Sequence, residues 1–173
     1  MMGGPAHLAK RFVTSLWPLG PSSADDAWAT SHLLEGEVAL WRRMSRQDRR
    51  HSVGVARRVD DALGQSATRP VLAAALLHDV GKIEAGIGTF LRVVATASAA
   101  IAGRETAELW VRGTGITRRV GLYLKHPAIG ADLLTMAGSD EFTATWAREH
   151  HHPEESCSLD AELATALRDA DDD

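Results

Sequence analysis

The stretch AAALLHDVGK, residues 73–82, is apolar for five residues, then sets His78 beside Asp79 and closes on Gly81 and Lys82. Ala and Leu in a row predict a core helix, since they cost little to hold helical and bury well. Such a helix gains nothing from burying an imidazole and a carboxylate, because an unpartnered buried polar group costs about 2–7 kcal/mol. The pair therefore sits at a frayed end or holds something, and the rest of the chain has to decide which.

Outward from that stretch the chain reads as helix throughout. Val, Ile and Thr never alternate with polar residues over the length of a strand. Ser23 before ADDAW, with acids in the first turn, is expected to cap one helix, and Ser45 before RQD to cap another that runs to Gly64. Thr68 and Pro70 start the helix of the opening stretch, with Gly81 as its expected stop. Further helices are expected over 87–102 and 104–111 and, after the break at 113–115, over ITRRVGLYLKH. Pro127 opens another that ends at Gly138, and Ser139 with Asp140 and Glu141 caps FTATWAREHHH. Leu159, Leu163 and Leu167 form the apolar stripe of a last amphipathic helix to Asp171. At 173 residues the chain suits one domain. The expected architecture is all-α, a single compact helical bundle over residues 23–173 with residues 1–22 as an arm.

Composition narrows the function classes. A net charge of −4 gives no general reason to expect nucleic acid or an anionic membrane as partner. Cys157 is the single cysteine, so neither an internal disulfide nor a thiolate metal cluster can form, which fits a cytoplasmic location. Lys10 and Arg11 before FVTSLWPLG have the outline of a signal peptide, but Thr14, Ser15 and Pro18 interrupt it and no leader is expected. The low-charge run 87–103 is broken by Arg92 and is too short for a membrane span.

The histidines are grouped. His7 and His32 stand alone as ordinary surface or packing residues, while His51, His78, His126 and the run His150–His152 fall at helix ends or on amphipathic faces. With Asp79 and the tail RDADDD they supply nitrogen and oxygen ligands without sulfur, a set suited to Fe, Mn, Co, Ni or Zn. Adjacent helical residues point about 100° apart, so His78 with Asp79, and His150 with His151, can each address two ions. Asp79, with two oxygens, is the natural bridge. Two ions roughly 3.5–4 Å apart activate a shared water and clamp an in-line displacement at phosphorus, which points to hydrolysis of a phosphate ester. A closed structural zinc site is four-coordinate, fewer positions than this set would fill.

The order H…HD…H…HH…D over residues 45–171 resembles the HD-domain metal-dependent phosphohydrolases. HDVGK at 78–82 is similar to their signature and RRHSVGVARRV at 49–59 to their first-histidine helix. KHPAIGADLL at 125–134 and EHH at 149–151 resemble the added histidines of binuclear members, among them the HD-GYP cyclic-dinucleotide phosphodiesterases. The resemblance implies metal ligands at His51, His78, Asp79, His126, His150 and His151. It also implies a closing aspartate, Asp171, with Asp169 half a turn away as the alternative. It implies that Lys82 meets a substrate phosphate, against a solvated lysine at a helix C-terminus as the plain alternative. The chain departs from HD-GYP enzymes where HPEESCSLD follows EHH in place of the GYP motif. Gln47 stands where some members carry a glutamate ligand to a third metal, which favours two ions. His152 stands where HD-GYP enzymes have glutamate and is expected beside the ligands or exposed.

Basic residues precede the ligands: Arg49 and Arg50 before His51, Lys125 before His126, Arg148 before His150. They would either form an anion trap, with Arg50 and Lys125 as substrate contacts, or lie on solvated faces. Trp28, Trp41, Trp110 and Trp146 are expected to pack between helices, with base stacking as the alternative role for one of them.

The expected function is a metal-dependent phosphohydrolase acting on a small phosphoester, a nucleotide or related metabolite, through a metal-bridging hydroxide. Asp79 and Lys82 would be its catalytic residues. The alternatives are a non-catalytic metal- or nucleotide-binding regulatory module and a cyclic-dinucleotide phosphodiesterase.

Overall fold

A computed structural model describes residues 20–88, 95 and 109–172. Eight α-helices lie among them: α1 Ser23–Ser31, α2 Glu35–Arg43, α3 Arg46–Leu63, α4 Arg69–Leu77, α5 Gly115–Leu124, α6 His126–Met136, α7 Glu141–Glu149 and α8 Ala161–Asp172. No strand occurs among the described residues, and the helices pack as one compact all-α bundle. The expected helices over 87–102 and 104–111 and the expected arm over 1–22 lie mostly outside the described residues.

Local chemistry explains most helix ends. Ser45 caps α3 by accepting the Asp48 amide at 3.1 Å, and Gly64 ends that helix at φ 51°. The first cap falls one residue earlier than expected. Ser22, not Ser23, accepts the Asp25 amide. The sequence reading marks no second start near 35, yet α1 ends at Ser31 and α2 begins at Glu35, where the Glu37 carboxylate reaches back to the Leu34 amide at 2.7 Å. The first residue of α7 is Glu141, with Asp140 rather than Ser139 at its N-cap.

Helix α4 is the centre of the core. Residues Ala73 to Leu77 have no exposure, and Val71 and Leu72 are nearly as deep. A helix apolar on every side is stable only when surrounded, and α3 and α7 pack against it. It ends at Leu77, earlier than Gly81 would have stopped it. His78 is its C-cap, and Val80–Glu84 forms a 3-10 turn. Gly81 serves a different purpose there. A β-carbon on it would lie 2.0 Å from the His126 carbonyl oxygen and 2.7 Å from the Gly130 amide nitrogen. Lacking that carbon lets the turn press directly on the backbone of α6.

The last helix packs on α3 through Ala164, Leu167 and Ala170, while Leu159 and Leu163 are only partly buried beside them. The expected leucine stripe is thus kept at Leu167 and widened by the small residues Ala164 and Ala170. Alanines let α8 approach α3 closely enough to bring Asp171 to His51.

Candidate metal centre

The expected ligands come from five elements. His51 comes from α3, His78 and Asp79 from the end of α4, His126 from the first residue of α6, His150 and His151 from the turn after α7, and Asp171 from the last turn of α8. Their rings form one cluster, with centroids 5.6 Å apart for His51 and His78, 5.4 Å for His78 and His150, and 5.5 Å for His126 and His150.

Three of these histidines are held the same way. The Nδ1 atoms of His78, His126 and His150 lie 2.9, 2.7 and 2.9 Å from the carbonyl oxygens of Ala75, Tyr123 and Ala147, each three residues earlier. A carbonyl accepts only from N–H, so each Nδ1 carries a proton and each Nε2 is turned to the centre. Carbonyl contacts of this kind orient histidines that bind metals and strengthen them as ligands.

The inward atoms converge on two carboxylates. His126 and His150 place Nε2 3.3 and 3.9 Å from Asp79 Oδ1, and His78 places Nε2 3.4 Å from Asp79 Oδ2. Asp171 Oδ1 lies 2.8 Å from His51 Nε2 and 3.7 Å from His78 Nε2. Ligand atoms of His51, His78 and Asp79 lie within 4.8 Å of one another, as do those of His126, His150 and His151. Each group has the spread that one divalent ion would span. The Nε2 atoms of His126 and His150 are buried without a hydrogen-bond partner. A buried lone pair left unsatisfied is costly, and a cation is the partner that suits it. The residues present therefore fit divalent ions.

Electrostatics divides the cluster. Burial works against a charged His78, but Asp79 and Asp171 outweigh it and raise its pKa to about 9. Burial also opposes ionised Asp79, yet Lys82 and His78 hold its carboxyl well below the ordinary range. Asp171 is held down likewise against its burial, first by His78 and then by His51. The other wall behaves oppositely. His126 and His150 are lowered chiefly by burial. His151 reaches solvent, but its protein surroundings disfavour the charged ring first and His126 does so next, bringing it to about 4. Near neutral pH one wall is ionic and the other is a set of neutral imidazoles.

Lys82 ion-pairs with Asp79 Oδ2 and lies 5.8 Å from the Tyr123 ring centroid. The other basic residues spread apart. Arg49 pairs with Asp26 at 2.9 Å beside Trp41, and Arg148 pairs with Asp132 at 3.0 Å. Arg50 is exposed on α3, and Lys125 is half-buried at the α5–α6 junction. Asp169 lines a separate groove between α3 and α8 with Arg58 and Asp61, while Asp171 joins the histidines. Trp41 and Trp146 are buried packing residues. His152 is half-buried and lines a cavity next to the cluster. The sequence reading missed the three carbonyls that orient the rings, although a residue three positions before a histidine at a helix end was their available signal. It also missed Arg168, in that cavity.

Comparison with protein-family models, curated proteins and solved structures finds no match to this chain. No helix among the described residues is long and apolar enough to cross a membrane.

Proposed function

We propose that this chain is a metal-dependent phosphohydrolase acting on a small phosphoester, a nucleotide or related metabolite. The observation that carries the reading is the pair of ligand groups meeting at one buried aspartate, with two histidine Nε2 atoms left unpartnered toward it. The ordered likeness of these residues to the HD-domain phosphohydrolases supports the same reading. His51, His78, Asp79 and Asp171 would hold one divalent ion, His126, His150 and His151 a second, and Asp79 would contact both. Bound divalent ions there would supply an activated water and positive charge for the oxygens of a phosphoryl group.

The chain's own residues complete the task. Asp79 keeps its negative charge at any working pH, and neutral His126, His150 and His151 need lose no proton to serve as ligands. Lys82 neutralises the carboxylate when no ion is bound. Were an ion held at Asp79, the Lys82 ammonium would be free to meet a phosphate oxygen.

The test is turnover by the manganese- or iron-loaded protein across a panel of phosphoesters that includes nucleotides and cyclic dinucleotides. Metal-dependent phosphate or nucleotide release, abolished in Asp79→Ala, is the expected result. Tight nucleotide binding that survives Asp79→Ala with no turnover in the wild type would overturn it in favour of a non-catalytic regulatory module.

A further inference from the structure

Arg168 lies on α8 three residues before Asp171, so the two share a helix face about 4.5 Å apart along the axis. All three of its guanidinium nitrogens are buried, and none has a hydrogen-bond partner. Its guanidinium lies over Trp146, whose ring centroid is 5.7 Å from Cζ. Arg168, Trp146, His150, His151 and Asp171 together line a cavity of about 320 Å³. The cavity thus runs from the wall of candidate ligands to the Arg168 side chain, whose guanidinium nitrogens are covered at its edge.

A guanidinium has five N–H donors that cannot be deprotonated, and burying them unpaired is unfavourable. The tryptophan face orients the group and returns part of that loss, but offers no acceptor. Of the two carboxylates in the cavity, Asp171 is directed to His51 and His78, and Asp172 is exposed at the rim. The Arg168 nitrogens form no hydrogen bond. The planar fork can donate two parallel N–H bonds to a pair of oxygens on a phosphate or a carboxylate, and beside a site read as attacking a phosphoester the phosphate is the anion at hand.

We infer that Arg168 is a substrate-binding residue that holds a second phosphate, so the substrate class is a phosphoester carrying a further phosphate group beside the one attacked. The inference rests on the phosphohydrolase reading for the identity of the first phosphate. The binding site itself stands independently of turnover. Trp146 fixes the guanidinium, and α8 sets its distance from the ligand cluster. Substrates with a single phosphate would leave those donors unsatisfied and bind more weakly.

The experiment uses the full chain loaded with manganese and dialysed to remove excess ion, so that the bound ions take the first phosphate, titrated calorimetrically with inorganic pyrophosphate and with orthophosphate. The wild type is expected to favour pyrophosphate. Arg168→Ala is expected to weaken pyrophosphate about tenfold or more while changing orthophosphate little, and Arg168→Lys to recover part of the loss. Manganese affinity, measured separately, is expected to be unchanged in both variants. Equal pyrophosphate affinity in wild type and Arg168→Ala would overturn the assignment. So would a wild type that does not distinguish the two anions, or variants that lose manganese together with pyrophosphate, since the side chain would then only support the ligands. If pyrophosphate binding depends on Arg168 but no phosphoester is turned over, the phosphohydrolase reading fails and the anion site stands.

Discussion

At the residue scale, Lys82 and Asp79 form the hinge between structure and chemistry. Removing the ammonium should leave every metal ligand in place. Lys82→Ala is therefore expected to keep its full metal content while losing about a hundredfold in kcat/KM, the usual scale for a charge aimed at a developing oxyanion. Equal loss of metal by elemental analysis would assign the lysine to holding Asp79 instead. His78 gives the pH dependence. Its pKa stands near 9 instead of 6.5, so in the metal-free protein it is protonated at neutral pH, and a metal can bind its Nε2 only by displacing that proton. Metal affinity should rise about tenfold per pH unit from 7 toward 9 and level off above, with one proton released per chain near pH 7.5. Calorimetry in buffers of different ionisation enthalpy reads the proton directly, and a flat profile over that window would contradict the assignment. In metal-free folding the sign is reversed. The raised His78 pKa adds stability that is fully present below 6.5 and lost as the pH rises through about 9.

At the element scale, the contact between the Val80–Glu84 turn and α6 sets the distance from Asp79 to His126. Gly81 makes that contact possible, because the position of its missing β-carbon is occupied by the His126 carbonyl at 2.0 Å. Gly81→Ala must push the turn and α6 apart. The expected cost is about 1–3 kcal/mol of stability, the range for overpacking, together with weaker metal binding, since Asp79 and His126 lie on the two separated pieces. Denaturant unfolding and metal titration measure the two effects, and a variant with wild-type values in both would show that the contact is not needed. The same element explains why the expected helix stop failed. Glycine in a sequence reads as a helix end by its backbone freedom, but the structure uses the glycine here for its lack of volume. The leucine stripe expected on the last helix is partly kept: Leu167 is fully buried, Leu159 and Leu163 pack against the core in part, and Ala164 and Ala170 join the buried face.

At the scale of the whole molecule, the site joins α3, the α4 end, α6, the α7 end and α8, separated by as many as 120 residues between His51 and Asp171. Ions that bind all of these would stabilise only the folded chain. At one hundred times the dissociation constant the gain is about 2.7 kcal/mol for one site, and chelation should reverse it. A thermal unfolding temperature that rises with added manganese or zinc and falls back with chelator is the expected result. An unchanged transition would argue against a metal centre spanning these helices.

Much of this molecule was legible in its sequence. The all-α class, the caps at Ser45 and Gly64, the buried run Ala73–Leu77 and the grouping of six histidines with Asp79 all follow from local chemistry, because helix propensity, capping and residue type act over a few neighbours. What the sequence could not settle is which groups meet across the bundle. Asp171 and Asp169 are equivalent by local chemistry, and only the angle at which α8 packs on α3 turns one to His51 and the other to the Arg58 groove. Arg49 and Arg148 looked like companions of the ligands, yet each is drawn to an aspartate elsewhere. Arg168, with no motif to mark it, is left beside the ligands with its donors unmet. Residue type decided what chemistry was available; the packing of five separate elements decided which of those residues could share it.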